Sequence, residues 1–396
     1  MPVPPPHFDV IIAGSGAAGL SLAYALSRSS KLATLKVLLI DKEEKTENDR
    51  TWCYWEEGEG PYEDILHQQW DQVHFYGLDF HKVVNMTPYR YKMIRGEDFY
   101  RKIWQHLDTL PHFEKARGSI AQFDPTASGI TVTTDAGAAY TADWVFNSTP
   151  YGVPQAQPNK YSYLLQHFKG YEITTHEPVF DPKVPTFMDF RVDQGDANDA
   201  RFGYVLPDNP NQALVEYTVF SPHVWEQARY DQALQDYLTT YWKLPPSAYT
   251  INRVEFGVIP MTDQYFPARV QRRIIQLGTS GGQTRASTGY TFQRIQLHTQ
   301  ALVQHWEQTG SPLLPRPRWK QRFNFYDAVL LQVIEKNWVN SRTIFTRIFQ
   351  RNPEQRVFRF LDGATTFGEE IALMNSMPHR PFLRGVLHKL YKRIFR

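Results

Sequence analysis

The chain holds a single cysteine, Cys53, in 396 residues. One thiol excludes an internal disulfide and any cysteine-based metal cluster, and it fits a reducing compartment such as the cytoplasm. Runs of apolar residues long enough to span a membrane are missing. The proline-rich start from Met1 to Asp9 lacks the charged and apolar segments of a secretory signal, so the expectation is a chain neither secreted nor membrane-spanning. Excess charge is missing too: 43 Lys and Arg against 41 Asp and Glu leave a net +2. No global field then favours nucleic acid, and any charged partner surface must come from local clustering. Repeats and low-complexity tracts are not found, and no metal site is expected.

Aromatic residues, by contrast, are abundant. The 10 Trp, 22 Tyr and 25 Phe make up 14% of the chain and cluster in places such as Trp52-Cys53-Tyr54-Trp55. Most belong to a core, and their number also suits a long cavity for a flat, apolar or cationic guest. The length and the 42% hydrophobic content predict two or three domains with a real interior.

The most informative stretch is Gly14-Ser15-Gly16-Ala17-Ala18-Gly19. It follows the apolar run Val10 to Ala13 and opens a helix-like pattern from Leu20 to Leu26. A second strand-like run, Leu35 to Ile40, ends on Asp41, where an acid accepts hydrogen bonds from a ribose. Gly14 allows the tight turn, Gly16 lets the backbone approach a pyrophosphate, and Gly19 lets helix and strand pack closely. Strand, turn, helix, strand and acid in register predict a dinucleotide site.

Farther along, residues from about 50 to 92 read as an insertion, followed by a helix to Leu107 and a hairpin, Ile130–Thr134 with Ala139–Phe146, that returns to the sheet. From 151 to 267 strand-like pieces alternate with Pro, Asn and Asp, which predicts an antiparallel substrate sheet with a helix between Val224 and Tyr241. The strand Arg273 to Leu277 then meets a second glycine loop, Gly278-Thr279-Ser280-Gly281-Gly282, followed by a helix. The predicted fold is α/β: a Rossmann-like FAD domain of the glutathione-reductase or hydroxylase type, 1–150 and 268–311, around the inserted sheet 151–267. A helical C-terminal region, 312–396, completes it. In this plan Gly278, Gly281 and Gly282 approach the ribityl chain and flavin.

In order along the chain, Asn48-Asp49-Arg50-Thr51-Trp52, Met93-Ile94-Arg95-Gly96, Gln166 to Ile173, Met188 to Arg191, Phe202 to Pro207, Leu214-Val215-Glu216-Tyr217-Thr218, Glu255 to Met261, Gly278 to Tyr290 and Phe360 to Gly363 resemble the FAD-dependent lycopene β-cyclases of bacteria and their plant relatives. The resemblance implies a non-redox cyclisation of the ends of lycopene and related acyclic carotenoids to β-ionone rings, giving β-carotene by way of γ-carotene. It also implies a requirement for reduced FAD, with NAD(P)H as electron source. Protonating an alkene needs a strong, dry acid. Glu216 matches the family's acidic position and, on an alternating strand, shares an apolar face with Leu214, Thr218 and Phe220. Arg95 either matches the family's basic residue near FAD or, at the start of its helix, pairs with a surface acid, and Glu56 and Asp362 match family acids for which a structural role is expected. A flavin reductase or epoxidase acting on another isoprenoid lipid is the alternative, and a carotenoid-binding protein with a structural flavin a third reading.

The tail from Pro381 to Arg396 divides a helical wheel between apolar residues (Phe382, Leu383, Val386, Leu387, Leu390, Tyr391, Ile394, Phe395) and basic ones (Arg384, His388, Lys389, Lys392, Arg393, Arg396). Either it docks on the protein's own core, or it lies on anionic lipid as a peripheral anchor at the cytoplasmic side of the membrane.

Overall fold

The computed structural model describes residues 4–127, 129–195, 199–315 and 320–394. In the strand His7–Ala13, Val10, Ile11, Ile12 and Ala13 are all buried, the pattern of a strand covered on both faces. It takes the centre of an eight-stranded sheet, running parallel to Val37–Asp41 on one side and Ala139–Asn147 on the other. The short strands Ile274–Gln276 and Arg269–Gln271 extend the sheet past Ala139–Asn147, Phe113–Arg117 closes the other edge, and Ile120–Pro125 and Ile130–Thr134 join through the hairpin. Leu20, Leu22 and Leu26 of the helix Ala17–Ser27 share one core with Phe292, Ile295 and Leu302 of the helix Phe292–Thr309.

A second sheet has seven strands, in the order Tyr249–Thr262, Tyr163–Thr175, Gln212–Ser221, Ala200–Asn209, Thr186–Asp189, Gln72–Gly77 and Phe80–Asn85. This corrects the sequence reading in two ways. Residues 72–85, read as part of an insertion in the cofactor domain, complete the substrate sheet, and Gln72–Gly77 runs parallel to Thr186–Asp189. Alternation at Val73 and Phe75 marks a half-buried strand, but carries no information about which sheet receives it. A small third sheet joins Thr51–Glu57, Tyr89–Arg95 and Gln68–Trp70.

The period-2 rule divides the second sheet cleanly. Val215, Tyr217 and Val219 pack on the helix Gln227–Trp242, whereas Leu214 and Phe220, with Phe202, Tyr204 and Leu206 of the next strand, face the C-terminal helices. Those helices, Lys320–Glu335, Ser341–Arg351, Glu354–Asp362, Phe367–Ser376 and His379–Ile394, contribute Phe345, Phe349, Phe358 and Leu373 to the same core.

The last helix buries one of its basic residues and exposes several of its apolar ones, while Phe382 and Val386 pack on the core and Arg384 stays outside. Lys389 is buried and bonds Ser162 Oγ at 3.1 Å and Asp263 Oδ2 at 2.7 Å. Leu383, Leu387 and Tyr391 stand 61%, 61% and 62% exposed. Phe395 and Arg396 lie outside the described residues. Among the described residues no helix is long and apolar enough to cross a membrane.

Candidate active site

The glycine turn divides its work among three positions. Gly14 has φ +96°, a conformation that disfavours any side chain, and a Cβ on Gly19 would sit 1.9 Å from the Gly14 carbonyl oxygen. A Cβ on Gly16 would meet nothing within 4 Å. Gly16, Ala17 and Ala18 instead open onto a cavity of about 1010 Å³, so the first N–H groups of the helix face empty space, a ready anion site. Asp41 does not line that cavity. Its Oδ2 accepts from Ser15 N at 2.6 Å and Ser15 Oγ at 3.0 Å, and Oδ1 accepts from Glu43 N at 3.0 Å. It thus pins the turn to the end of its strand, and a carboxylate with about four acceptor positions keeps room for a ribose hydroxyl.

From the late loop, Gly278 and Thr279 reach the cavity, and Gly278, at φ +60°, would place a Cβ 3.0 Å from the Ala18 Cβ. Gly281 and Gly282 do not line it. A Cβ on Gly281 would lie 2.5 Å from Gln276 O, and Gly282, at φ +71°, caps the turn against Phe266; both shape the loop rather than face a guest. Gln166 Oε1, in the cavity wall, is buried with no hydrogen-bond partner among the described residues. An empty approach at Gly16, free helix N–H groups and an orphaned acceptor all fit a dinucleotide whose ring carries N–H donors.

Arg95 requires a correction. Its guanidinium bonds Asp208 Oδ2 at 3.0 Å and Glu172 Oε1 at 3.3 Å, in a separate polar cleft with His67 and Gln212. The acids that hold it lie on distant strands, so its neighbours in sequence gave no sign of them. Lys45 and Arg50 stand in the wall of the large cavity, with His379. Glu56 accepts from fully buried Lys92 at 3.0 Å, and Asp362 accepts from Trp55 Nε1 at 2.8 Å, both structural ties.

Glu216 lies in the wall of the same cavity, buried, with Thr218 and Phe220 from its own strand. Tyr204 stands directly opposite it on the next strand. Burial holds its carboxyl well above the ordinary carboxylate range, and the neighbouring charge of Glu255 adds to the effect. Glu216 is therefore a neutral acid in an apolar setting. Around it Tyr204 and Tyr91 share a 2.5 Å hydroxyl contact, and Tyr290 lies 3.3 Å from Tyr91. Burial pushes these phenols and the Cys53 thiol upward, so all stay uncharged. Phe168, Phe187, Phe202, Phe345 and Phe349 complete an aromatic wall. The residue that sequence reasoning missed is Glu255, noted only within its motif; its signal was a carboxylate two positions from Arg253 on an alternating strand.

The chain superposes over most of its length on flavin-dependent proteins of known structure. The flavin-dependent brominase Bmp2 matches with a TM-score of 0.63 at 13% identity, over 98% of this chain and 100% of that one. A flavoprotein/dehydrogenase of Cytophaga hutchinsonii matches at 0.60 and 11% identity, over 96% and 99%. A geranylgeranyl bacteriochlorophyll reductase-like protein of Thermoplasma acidophilum matches at 0.58 and 12% identity, over 99% of each. The fold is therefore the one used by flavin-dependent monooxygenases and reductases, as the sequence predicted. No curated protein matches the chain in sequence. The family model described as lycopene cyclase protein matches residues 9–387, and the chain belongs to the lycopene cyclase family.

Proposed function

We propose that the chain is a lycopene β-cyclase, acting on the ends of lycopene and related acyclic carotenoids without net redox change. The observation that carries this reading is Glu216, an acid kept neutral by burial in an aromatic cavity continuous with the dinucleotide turn. The Glu216 O–H proton passes to the terminal double bond and leaves a tertiary cation. The internal alkene attacks that cation to form the ring, and loss of a ring proton restores a double bond, so the formula is unchanged. The aromatic wall excludes water that would trap the cation, and faces of Tyr and Phe rings stabilise it by ~0.5–2 kcal/mol each when desolvated.

Gly16, the first turn of the helix Ala17–Ser27, Asp41, Gly278 and Thr279 would hold FAD. In its reduced form, with NAD(P)H as the electron source, FAD supplies an electron-rich ring that favours positive charge nearby. The substrate reaches the site from a membrane. The cavity wall includes Met374, Met377, Phe382 and Leu383, and Leu383 is also exposed beside Leu387 and Tyr391, so the apolar mouth supports peripheral attachment at the cytoplasmic face.

Expression in lycopene-accumulating cells with pigment analysis tests the reading. β-Carotene from the parent and none from Glu216→Gln, with flavin retained by both, is the expected result. Oxygenated or saturated products would instead identify a monooxygenase or a reductase, and unconverted lycopene a binding protein.

A further inference from the structure

Glu216 has an acidic partner, its side chain only 9% exposed, that simple proton donation does not require. The middle strand Tyr163–Thr175 pairs with Gln212–Ser221 on one side and Tyr249–Thr262 on the other, and Gly170 stands in register with both Glu216 and Glu255. Register-paired side chains share a face of the sheet, so the two carboxyl groups approach each other over a position that has no side chain. A Cβ on Gly170 would lie 2.9 Å from Glu216 Cγ and 3.2 Å from Glu255 Cγ. Both side chains thus crowd one open position, and two desolvated carboxylates cannot both keep their charge at such range, so one of them carries a proton.

The surroundings decide which one. Glu255 Oε2 accepts from Thr51 Oγ1 at 3.0 Å and from Arg253 Nη2 at 3.3 Å. Arg253 is itself fixed by Glu172 at 2.8 Å and by the Asn48 carbonyl at 2.9 Å, and Glu172 is held by Arg95. Among the described residues no cation bonds to Glu216. The other titratable groups that face it, Tyr204, Tyr290, Tyr91 and Cys53, are uncharged. Burial raises both carboxyl groups, but Arg253 and Thr51 oppose it at Glu255 while Glu216 is raised much further, so the anion belongs on Glu255 and the proton on Glu216.

We propose that Glu255 is a positioning residue that keeps one shared proton on Glu216 and draws it back after ring closure. The proposal rests on the cyclase reading above. When the Glu216 O–H bond breaks and a C–H bond forms on the substrate, the pair holds two negative charges beside Arg253. Such a desolvated dianion is a strong base. The ring C–H bond then breaks, its electrons form the ring double bond, and the proton returns to Glu216. Nothing is oxidised or reduced. Arg95, which the sequence assigned to the cofactor, acts at the outer end of this line by fixing Glu172.

Two readouts test it: the alkaline limb of lycopene turnover, and the infrared band of the neutral carboxyl, assigned by its loss in Glu216→Gln and measured without substrate. Glu255→Gln removes the anion, so Glu216 ionises more readily and both readouts move down by roughly one to three pH units. Arg253→Gln removes a positive charge beside the pair, so the second negative charge costs more and both readouts move up, whereas Thr51→Val, which touches an anion present before and after Glu216 ionises, and Glu255→Asp stay near the parent. Opposite shifts support the pair. Unmoved readouts, or shifts of one sign in all variants, overturn it. Should Glu255→Gln fail to fold, Glu255→Ser, which also removes the anion, carries the test by the same downward shift. If the parent forms no cyclic product while the band shifts as stated, the cyclase reading fails and the proton pair stands. If cyclic product forms while the band ignores these variants, the pair fails alone.

Discussion

Lys389 donates to Asp263 at 2.7 Å, with the two side chains only 7% and 13% exposed. This pair fastens the last helix to the residue that follows the outer strand of the substrate sheet. Removing one partner leaves a buried charge unpaired, so Lys389→Ala is expected to cost on the order of 3 kcal/mol in urea unfolding. Replacing both, as in Lys389→Met with Asp263→Leu, recovers much of that loss, because the cost lies in the orphaned charge.

The same contact changes what the tail offers to lipid. With Lys389 turned inward, Leu383, Leu387 and Tyr391 form the outward stripe. Changing all three to Ser leaves unfolding stability within about 0.5 kcal/mol, as for other surface positions. Anionic-vesicle binding, measured by co-sedimentation, is expected to fall on the order of a thousandfold or more, since each apolar side chain contributes about 1.5–3 kcal/mol when fully buried. If this stripe is what attaches the protein, salt is expected to release little of the parent from the vesicles.

Features governed by a few neighbouring residues were legible in the sequence. The strand, turn and helix around Gly14 to Gly19 depend on local backbone geometry, and alternation from Leu214 to Phe220 gave the face on which Glu216 stands. Features governed by register or docking were not. That Glu255 meets Glu216 depends on Gly170, in a strand between them; that residues 72–85 join the substrate sheet depends on a parallel pairing with residues more than a hundred positions away. Amphipathicity divided the tail into two faces without saying which one the core would take.

Gly16 and Gly19 should separate binding from folding. A side chain on Gly16 enters open space, so Gly16→Val is expected to fold with parent-like stability and lose flavin, read by absorbance after desalting. A Cβ on Gly19 strikes the Gly14 carbonyl at 1.9 Å, a backbone atom that cannot turn aside. Gly19→Ala is therefore expected to destabilise the fold itself, by roughly 1–3 kcal/mol for an overpacked site.

His167 gives a pH dependence of stability with a definite sign. It is fully buried, with Nε2 2.8 Å from Ser221 Oγ and Nδ1 2.5 Å from Tyr230 OH, and burial lowers its pKa from 6.5 to about 4. Above pH 6.5 both folded and unfolded chains hold it neutral, and its effect is nil. As the pH falls from 6.5 to 4 the unfolded chain takes up a proton that the folded chain refuses, so about 3 kcal/mol of stability is lost over that window. Denaturation curves across this range should show the loss in the parent and a smaller one in His167→Gln.

Tyr204 is the ring best placed to act on the reacting end of the substrate, because it stands opposite Glu216 in register and lines the same cavity. Its hydroxyl and its π face can be tested apart. Tyr204→Phe removes the 2.5 Å contact with Tyr91 but keeps the face, whereas Tyr204→Leu removes both at similar apolar character. If the face stabilises the cation, the Phe variant keeps kcat within about threefold, while the Leu variant loses ~0.5–2 kcal/mol of transition-state stabilisation, a fall of roughly 2- to 30-fold. Equal losses in the two variants would assign the effect to the hydroxyl network around Tyr91 and Tyr290 instead. Flavin content and unfolding midpoint, measured alongside, separate either result from a repacked cavity.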